Sequence, residues 1–240
     1  MTEPTATVAE ELGAVTIAWR DARFVVVDKP AGVAVHRGWA RGGPDDEPLL
    51  QRVRDLVGQY VWLINRLDRG ASGAVLFALD AEAARAASDQ FAAGAVDKRY
   101  LAITRGHPPA HVVVDHPIPT EIGGPRGDAV TELRCLDTFG RYALVEARPR
   151  TGRLHQIRRH CKHIACPLIG DVKYGKGEHN RIFRAQHGLH RLALHAAFLG
   201  MPHPLGGPAI AVEVPLAADL RAAVASCHAA YDGVTPPVIA

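Results

Sequence analysis

A chain of 240 residues, 48% apolar and with a net charge of +3, is long enough to bury a sizeable core and too apolar to remain disordered. No apolar run approaches the ~20 residues of a membrane-spanning helix, and the N-terminus lacks a basic-then-apolar leader. The four cysteines, at 135, 161, 166 and 227, are too few and too irregular for a disulfide framework, so a cytoplasmic protein without membrane contact is expected.

Residues 1–14 are polar and Ala/Glu-rich and are expected to fray. Val15 to Trp19 reads as an edge strand. Phe24 to Val27 reads as a buried strand stopped by the turn Asp28-Lys29-Pro30-Ala31-Gly32. Residues 38–48 form a loop, and Leu49 to Val57 has helical spacing up to Gly58. Val61 to Ile64 and Ala74 to Leu79 have strand length, and Asp80 caps an Ala-rich helix over 81–93 that stops at Gly94. Lys98 to Ile103 predicts a strand, 105–128 is loop-like with five Pro and four Gly, and Thr131 to Arg148 predicts two strands joined near Phe139-Gly140.

Between the strands at 61–64 and 74–79 lies Asn65-Arg66-Leu67-Asp68-Arg69-Gly70-Ala71-Ser72-Gly73. One acid, Asp68, sits between two cations that favour its ionised form. By itself the stretch reads equally as a turn aspartate or as a functional acid.

The next helix spans roughly Leu154 to Ile164, with Leu154, Ile157, Cys161 and Ile164 on one stripe. Arg158 falls on that stripe, whereas Arg159 and Lys162 fall off it. A guanidinium on the buried side requires an anion. Asp68 is the expected partner, with Asp28, Glu146 and Asp171 as rivals. Residues 175–190 follow as a His/Arg-rich loop without a period, and Leu192 to Leu199 is ambiguous between helix and strand. Ala209 to Val214 is a strand and Ala217 to Ala230 a terminal helix. Strands outnumber helices without βαβ alternation, which predicts an α+β sheet fold. No clean linker divides the chain, so one catalytic-sized domain over 15–231 with a tail at 232–240 is expected.

The charge is unevenly distributed. Residues 150–191 hold ten Lys/Arg against two Asp/Glu, a net of +8, and the remainder holds 18 against 23. Such a concentration points to a polyanion, nucleic acid first. His155, His160, His163, Cys161 and Cys166 lie on or just after the same helix. They lack a Cys-x-x-Cys pair and the i, i+4 histidine spacing of a zinc helix, so no metal site is expected.

Taken together, four segments resemble the RluA family of pseudouridine synthases. These are Asp28-Lys29-Pro30-Ala31-Gly32 with Val35-His36-Arg37; Arg66-Leu67-Asp68-Arg69 with Ser72-Gly73; Lys98-Arg99-Tyr100; and Thr151 to His160 followed by Pro167-Leu168-Ile169-Gly170-Asp171. The resemblance runs from about 17 to 215 in correct order. One departure is Asn65, where the family usually carries His; an amide still hydrogen-bonds but does not titrate.

The resemblance implies the pseudouridine synthase fold, a mostly antiparallel mixed sheet flanked by helices, and an isomerase that needs no cofactor or metal. It implies Asp68 as the catalytic carboxylate, oriented by Arg158, with Tyr100 stacking on the target base. Arg66, Ile157, Arg69, His155, Arg159 and Lys162 are the expected substrate contacts. With fourteen residues before Val15, the S4 RNA-binding domain of many relatives is not expected. The compact length and the segment Gly170 to Gly175 with Asn180-Arg181, together with Val35 to Trp39, most resemble the tRNA-modifying members of the family; a monomer acting on structured RNA is expected. The expected target is a tRNA T-stem uridine at tRNA position 65, with large-subunit ribosomal RNA as the alternative. A catalytically silent RNA-binding protein is the rival from another class.

Overall fold

The structure, a computed structural model, describes residues 11–12, 15–36, 47–120 and 123–231. The expectations for residues 1–10 and 13–14, for Arg37 to Trp39, for the loop up to residue 46 and for the tail at 232–240 lie outside the described residues.

The first elements are β1 (Glu11–Leu12), β2 (Val15–Arg20), β3 (Phe24–Lys29), α1 (Leu49–Val57), β4 (Trp62–Leu63), β5 (Ser72–Ala78) and α2 (Ala81–Ala92). Next come β6 (Asp97–Arg105), β7 (His111–Asp115), β8 (Ile118–Pro119), β9 (Arg126–Gly127), β10 (Val130–Phe139), β11 (Tyr142–Pro149), α3 (Gln156–His163) and α4 (Gly177–Gln186). The last are β12 (Leu194–Met201), β13 (Ile210–Glu213) and α5 (Ala218–Tyr231). The described residues fall into two compact units, those up to 96 with 198–214 and those of 97–197 with 215–231.

In the first unit β1, β2, β3 and β5 pair antiparallel in that order, β4 pairs with β5, and β13 pairs with the second half of β12. Strand β2 is therefore flanked on both sides rather than lying at an edge. All seven residues of β5 are buried, as are Phe24, Val25, Val26 and Val27 of β3. This accounts for their unbroken apolar runs. Helix α1 lays Leu49 and Val53 on the core with Val25, Val27, Val75 and Phe77, and Gly58 closes it in the left-handed region at φ 71°. The Asp80 carboxylate caps α2 by accepting from the Ala83 N–H at 2.9 Å, and Arg23 donates to both of its oxygens.

In the second unit β6, β11, β10 and β7 pair antiparallel in that order. Ile103, Phe139, Tyr142 and Leu144 form a core with Phe183 of α4 and Leu220, Val224 and Cys227 of α5. Helices flanking antiparallel pairings give the expected α+β class. Two segments depart from expectation. The stretch 105–128 contains β7 and the small β8–β9 pair, because its prolines sit at strand ends and turns rather than within a paired strand. The stretch 175–190 contains α4, whose buried face is His179, Asn180 and Phe183, so two of its three inward residues are polar and leave no apolar stripe. The ambiguous run at 192–199 is the strand β12.

Candidate active site

Asp68 lies in the connection from β4 to β5, half-buried between exposed Arg66 and Arg69. The connection is fixed through its main chain. The Ile64 N–H donates to Leu76 O, and the Asn65 side-chain oxygen accepts the Leu76 N–H at 2.7 Å, so the amide at the departing position ties down the start of the loop. Ala71 N–H closes a turn on Asp68 O at 3.0 Å. From the other side comes the turn 30–33. Gly32 N–H donates to Arg69 O at 2.8 Å, and Arg69 Nε donates back to Gly32 O at 2.7 Å. Gly32 holds this exchange at φ 89°, where a side chain would strain the backbone.

Beneath this pair of turns lies Lys29, with no exposed surface. Its Nζ donates to Pro30 O at 2.8 Å, Val33 O at 2.9 Å and Arg69 O at 3.3 Å. Three carbonyl dipoles thus meet the ammonium, as a buried lysine requires. The Asp-Lys-Pro-Ala-Gly turn and the Asp68 loop are two halves of one bracket.

The second unit holds Arg158, Ile157, Arg159, Lys162, His155 and Tyr100. Arg158 is buried on α3 with Ile157 and Cys161, as its place on the stripe predicts. Arg159 is half-buried and Lys162 exposed, while Tyr100 is half-buried on β6 opposite Ala147. Arg158 has Asp171, one of the three rivals, as an anionic partner within its own unit. Nε donates to Oδ2 at 2.7 Å and Nη2 to Oδ1 at 2.8 Å, a bidentate pair with the Asp171 side chain fully buried. Of the other rivals, Glu146 pairs with Arg148. Asp68 belongs to the first unit and Arg158 to the second.

Burial alone would raise the Asp171 carboxyl. The Arg158 guanidinium and the backbone N–H groups of Tyr174 and Lys173, each 2.9 Å from Oδ1, outweigh it and hold the group below the usual carboxylate range. The turn is braced by Asn180 of α4, which accepts from Gly170 N–H at 2.8 Å and donates to Asp171 O at 3.1 Å. Gly170 has φ 75°, and a Cβ there would collide with the Arg191 carbonyl.

A polar chain anchors α3 to β10. Gln156 Nε2 donates to Thr131 Oγ1 at 2.9 Å, and that hydroxyl lies 2.9 Å from His160 Nδ1. His160 Nε2 lies 3.0 Å from His116 O, which only accepts, so the proton sits on Nε2 and Nδ1 takes the Thr131 hydroxyl. Burial holds this imidazole below its ordinary pKa. His163 stacks on His116 at 3.8 Å, and His155 Nδ1 meets Tyr174 Oη at 3.1 Å. The histidines singled out as metal candidates thus each engage protein groups, and among the described residues no group of three or more His, Cys, Asp or Glu is placed to hold a metal ion.

Lys29, Gln156 and Tyr174 are site-shaping residues that pattern reading did not assign, and Asp171 entered it only as a rival partner for Arg158. Lys29 and Asp171 were each visible as a charge inside an apolar or turn segment, a signal that such a charge must be satisfied internally. Tyr174 carried no such signal.

The family described as RNA pseudouridylate synthase matches residues 23–163 of this chain. A tRNA pseudouridine synthase C of Vibrio parahaemolyticus is 37% identical, the match covering 78% of this chain and 85% of that protein. One of Haemophilus ducreyi is 40% identical with the same coverage. Among solved structures, human RNA pseudouridylate synthase domain containing 4 superposes with a TM-score of 0.74 at 26% identity, over 88% of this chain and 92% of that one.

Proposed function

The chain belongs to the RNA pseudouridylate synthase family, and from that premise we infer that it converts one uridine of tRNA to pseudouridine through the carboxylate of Asp68. The enzyme is an isomerase: the N1–C1′ bond of uridine breaks, a C5–C1′ bond forms, the C5 proton leaves and N1 is protonated. Asp68 serves as nucleophile or electrostatic stabiliser on a loop whose main chain is already fixed. Arg158 is the cation proposed to orient it. Tyr100 stacks on the target base and assists removal of the C5 proton, and Ile157 supplies an apolar wall. A base held in a folded RNA must leave its stack, at a cost of roughly a few kcal/mol. Arg66, two residues from Asp68, fills the vacated space, while Arg69, His155, Arg159 and Lys162 bind the RNA.

The observation that carries the tRNA assignment is the identity of 37–40% to proteins named tRNA pseudouridine synthase C across 85% of their length. The T-stem uridine at tRNA position 65 is the proposed target. The family match runs through residue 96, where the two units divide, which supports reading 15–231 as one catalytic domain. No helix among the described residues is long and apolar enough to cross a membrane, and we place the enzyme in the cytoplasm as a monomer. Carbodiimide mapping of pseudouridine in total RNA from a strain lacking the gene tests the assignment. Loss of a single tRNA site is expected. Loss of a large-subunit ribosomal site instead would overturn the tRNA target and leave the enzyme class.

A further inference from the structure

Four cations surround one aromatic ring in the turn after Asp171. The Tyr174 ring centroid lies 5.1 Å from Arg158 Cζ, 5.3 Å from Arg159 Cζ, 5.6 Å from Lys173 Nζ and 5.9 Å from Lys162 Nζ. Asp171 neutralises only Arg158, and its oxygens are occupied by that guanidinium and two backbone N–H groups. Among the described residues no carboxylate pairs with Arg159, Lys162 or Lys173. The π face draws cations together, but it does not cancel their charge. Three like charges converging on one ring therefore form a cluster that an anion completes.

The ring is held in place. His155 Nδ1 lies 3.1 Å from Tyr174 Oη, and the two rings meet edge to face at 5.7 Å. His155 reaches it from a left-handed conformation, φ 54° and ψ 31°, that is uncommon outside glycine and falls at the N-cap of α3. The first turn of α3 contains no acid. Helix α4, tied to the same turn through Asn180, carries two further exposed cations, Arg181 and Arg184.

We propose that Tyr174 and the cations Arg159, Lys162 and Lys173 form a subsite for the RNA backbone, in which the ring gathers the cations and a phosphodiester supplies the missing anion. The proposal rests on the RNA-modifying reading and deepens it. It adds Tyr174 and Lys173 to the substrate contacts and gives Arg159 and Lys162 a common ligand. Three cations at one ring, with Arg181 and Arg184 exposed on the helix tied to the same turn, favour a polynucleotide over a single phosphate ion.

The test is binding of a labelled tRNA T-arm hairpin to the full chain across a sodium chloride series. The variants are Lys162→Gln with Lys173→Gln, Tyr174→Leu, and Lys173→Gln alone as the least perturbing. Arg221→Gln, an exposed arginine on α5, is the control. Removing one cation from a phosphate should reduce the slope of log K against log salt by about 0.7–0.9. The double variant should therefore lose about 1.4–1.8 of slope, Lys173→Gln about half of that, and Arg221→Gln none. Slopes for both lysine variants equal to that of the unaltered protein would overturn the subsite. Pseudouridine formation by the unaltered protein, measured in parallel, separates the two readings. Turnover with unchanged slopes defeats the subsite alone, whereas reduced slopes without turnover defeat the enzymatic reading alone.

Discussion

The loop that carries Asp68 is tied down through its main chain: Lys29 Nζ to three carbonyls, Gly32 and Arg69 to each other, Asn65 to Leu76. Around Arg158 the contacts run from charge to charge, with a buried carboxylate gripping a buried guanidinium through two hydrogen bonds. A loop held by its backbone keeps its shape when the side chain it presents is altered. A turn held by a buried ion pair does not, because removing either partner takes this pairing away from a buried charge. The two regions should therefore respond in opposite ways to substitution: activity without stability at Asp68, stability together with activity at Arg158.

The largest stability effect is expected from the ion pair. Asp171→Ala leaves the Arg158 guanidinium buried without this partner and should cost ~3–5 kcal/mol in urea unfolding, as should Arg158→Ala. A loss below about 1 kcal/mol for both would place the pair in effective contact with solvent and dissolve the contrast. Next in size is Lys29→Met, which leaves the carbonyls of Pro30 and Val33 without the ammonium donor. A cost of roughly 1–3 kcal/mol is expected, with turnover falling because the bracket under Asp68 loosens. Unchanged turnover in a folded Lys29→Met protein would show that the loop is held without it.

The pH dependence sharpens the comparison further. His160, buried between Thr131 and His116, is held below its ordinary pKa of 6.5 by loss of solvent. The unfolded chain takes up a proton that folded His160 resists. Stability is thus complete above the ordinary value and declines as pH falls below it, by at most ~1.4 kcal/mol per pH unit for this proton. His160→Gln should flatten that part of a urea-midpoint profile between about pH 7.5 and 5. A profile for His160→Gln that runs parallel to the unaltered one would remove His160 from the cause. The smallest effects belong to side chains outside the Arg158–Asp171 pair. Arg159→Ala and Asp68→Asn should each change stability by about 0.5 kcal/mol or less in the same assay.

Much of this arrangement was readable before the structure. Asp80 before an Ala-rich run and Gly58 after a helical stripe specify caps that local chemistry alone enforces, and both form as expected. Arg158 was readable as buried because a charge on an apolar helix stripe has no other place to go. Its ion-pair partner within the second unit was not, since Asp28, Asp68, Glu146 and Asp171 are alike in one dimension and only the turn at Gly170 brings Asp171 under the helix. Helix α4 was hidden for a related reason: its inward face uses His179 and Asn180, whose burial is satisfied by Tyr142 and the Asp171 turn rather than by apolar contact. Tyr174 was unreadable because four cations distributed from 158 to 173 converge on it only after folding.

The central claim is that the Asp68 carboxylate, not merely its loop, performs the isomerisation. Tritium release from 5-tritiated uridine in a tRNA transcript measures loss of the C5 hydrogen directly, and Asp68→Asn replaces only the carboxylate while leaving the backbone bracket in place. The account predicts steady release by the unaltered protein and none above background by Asp68→Asn, with RNA binding and the unfolding midpoint retained. Release by Asp68→Asn at a rate near that of the unaltered protein would contradict it.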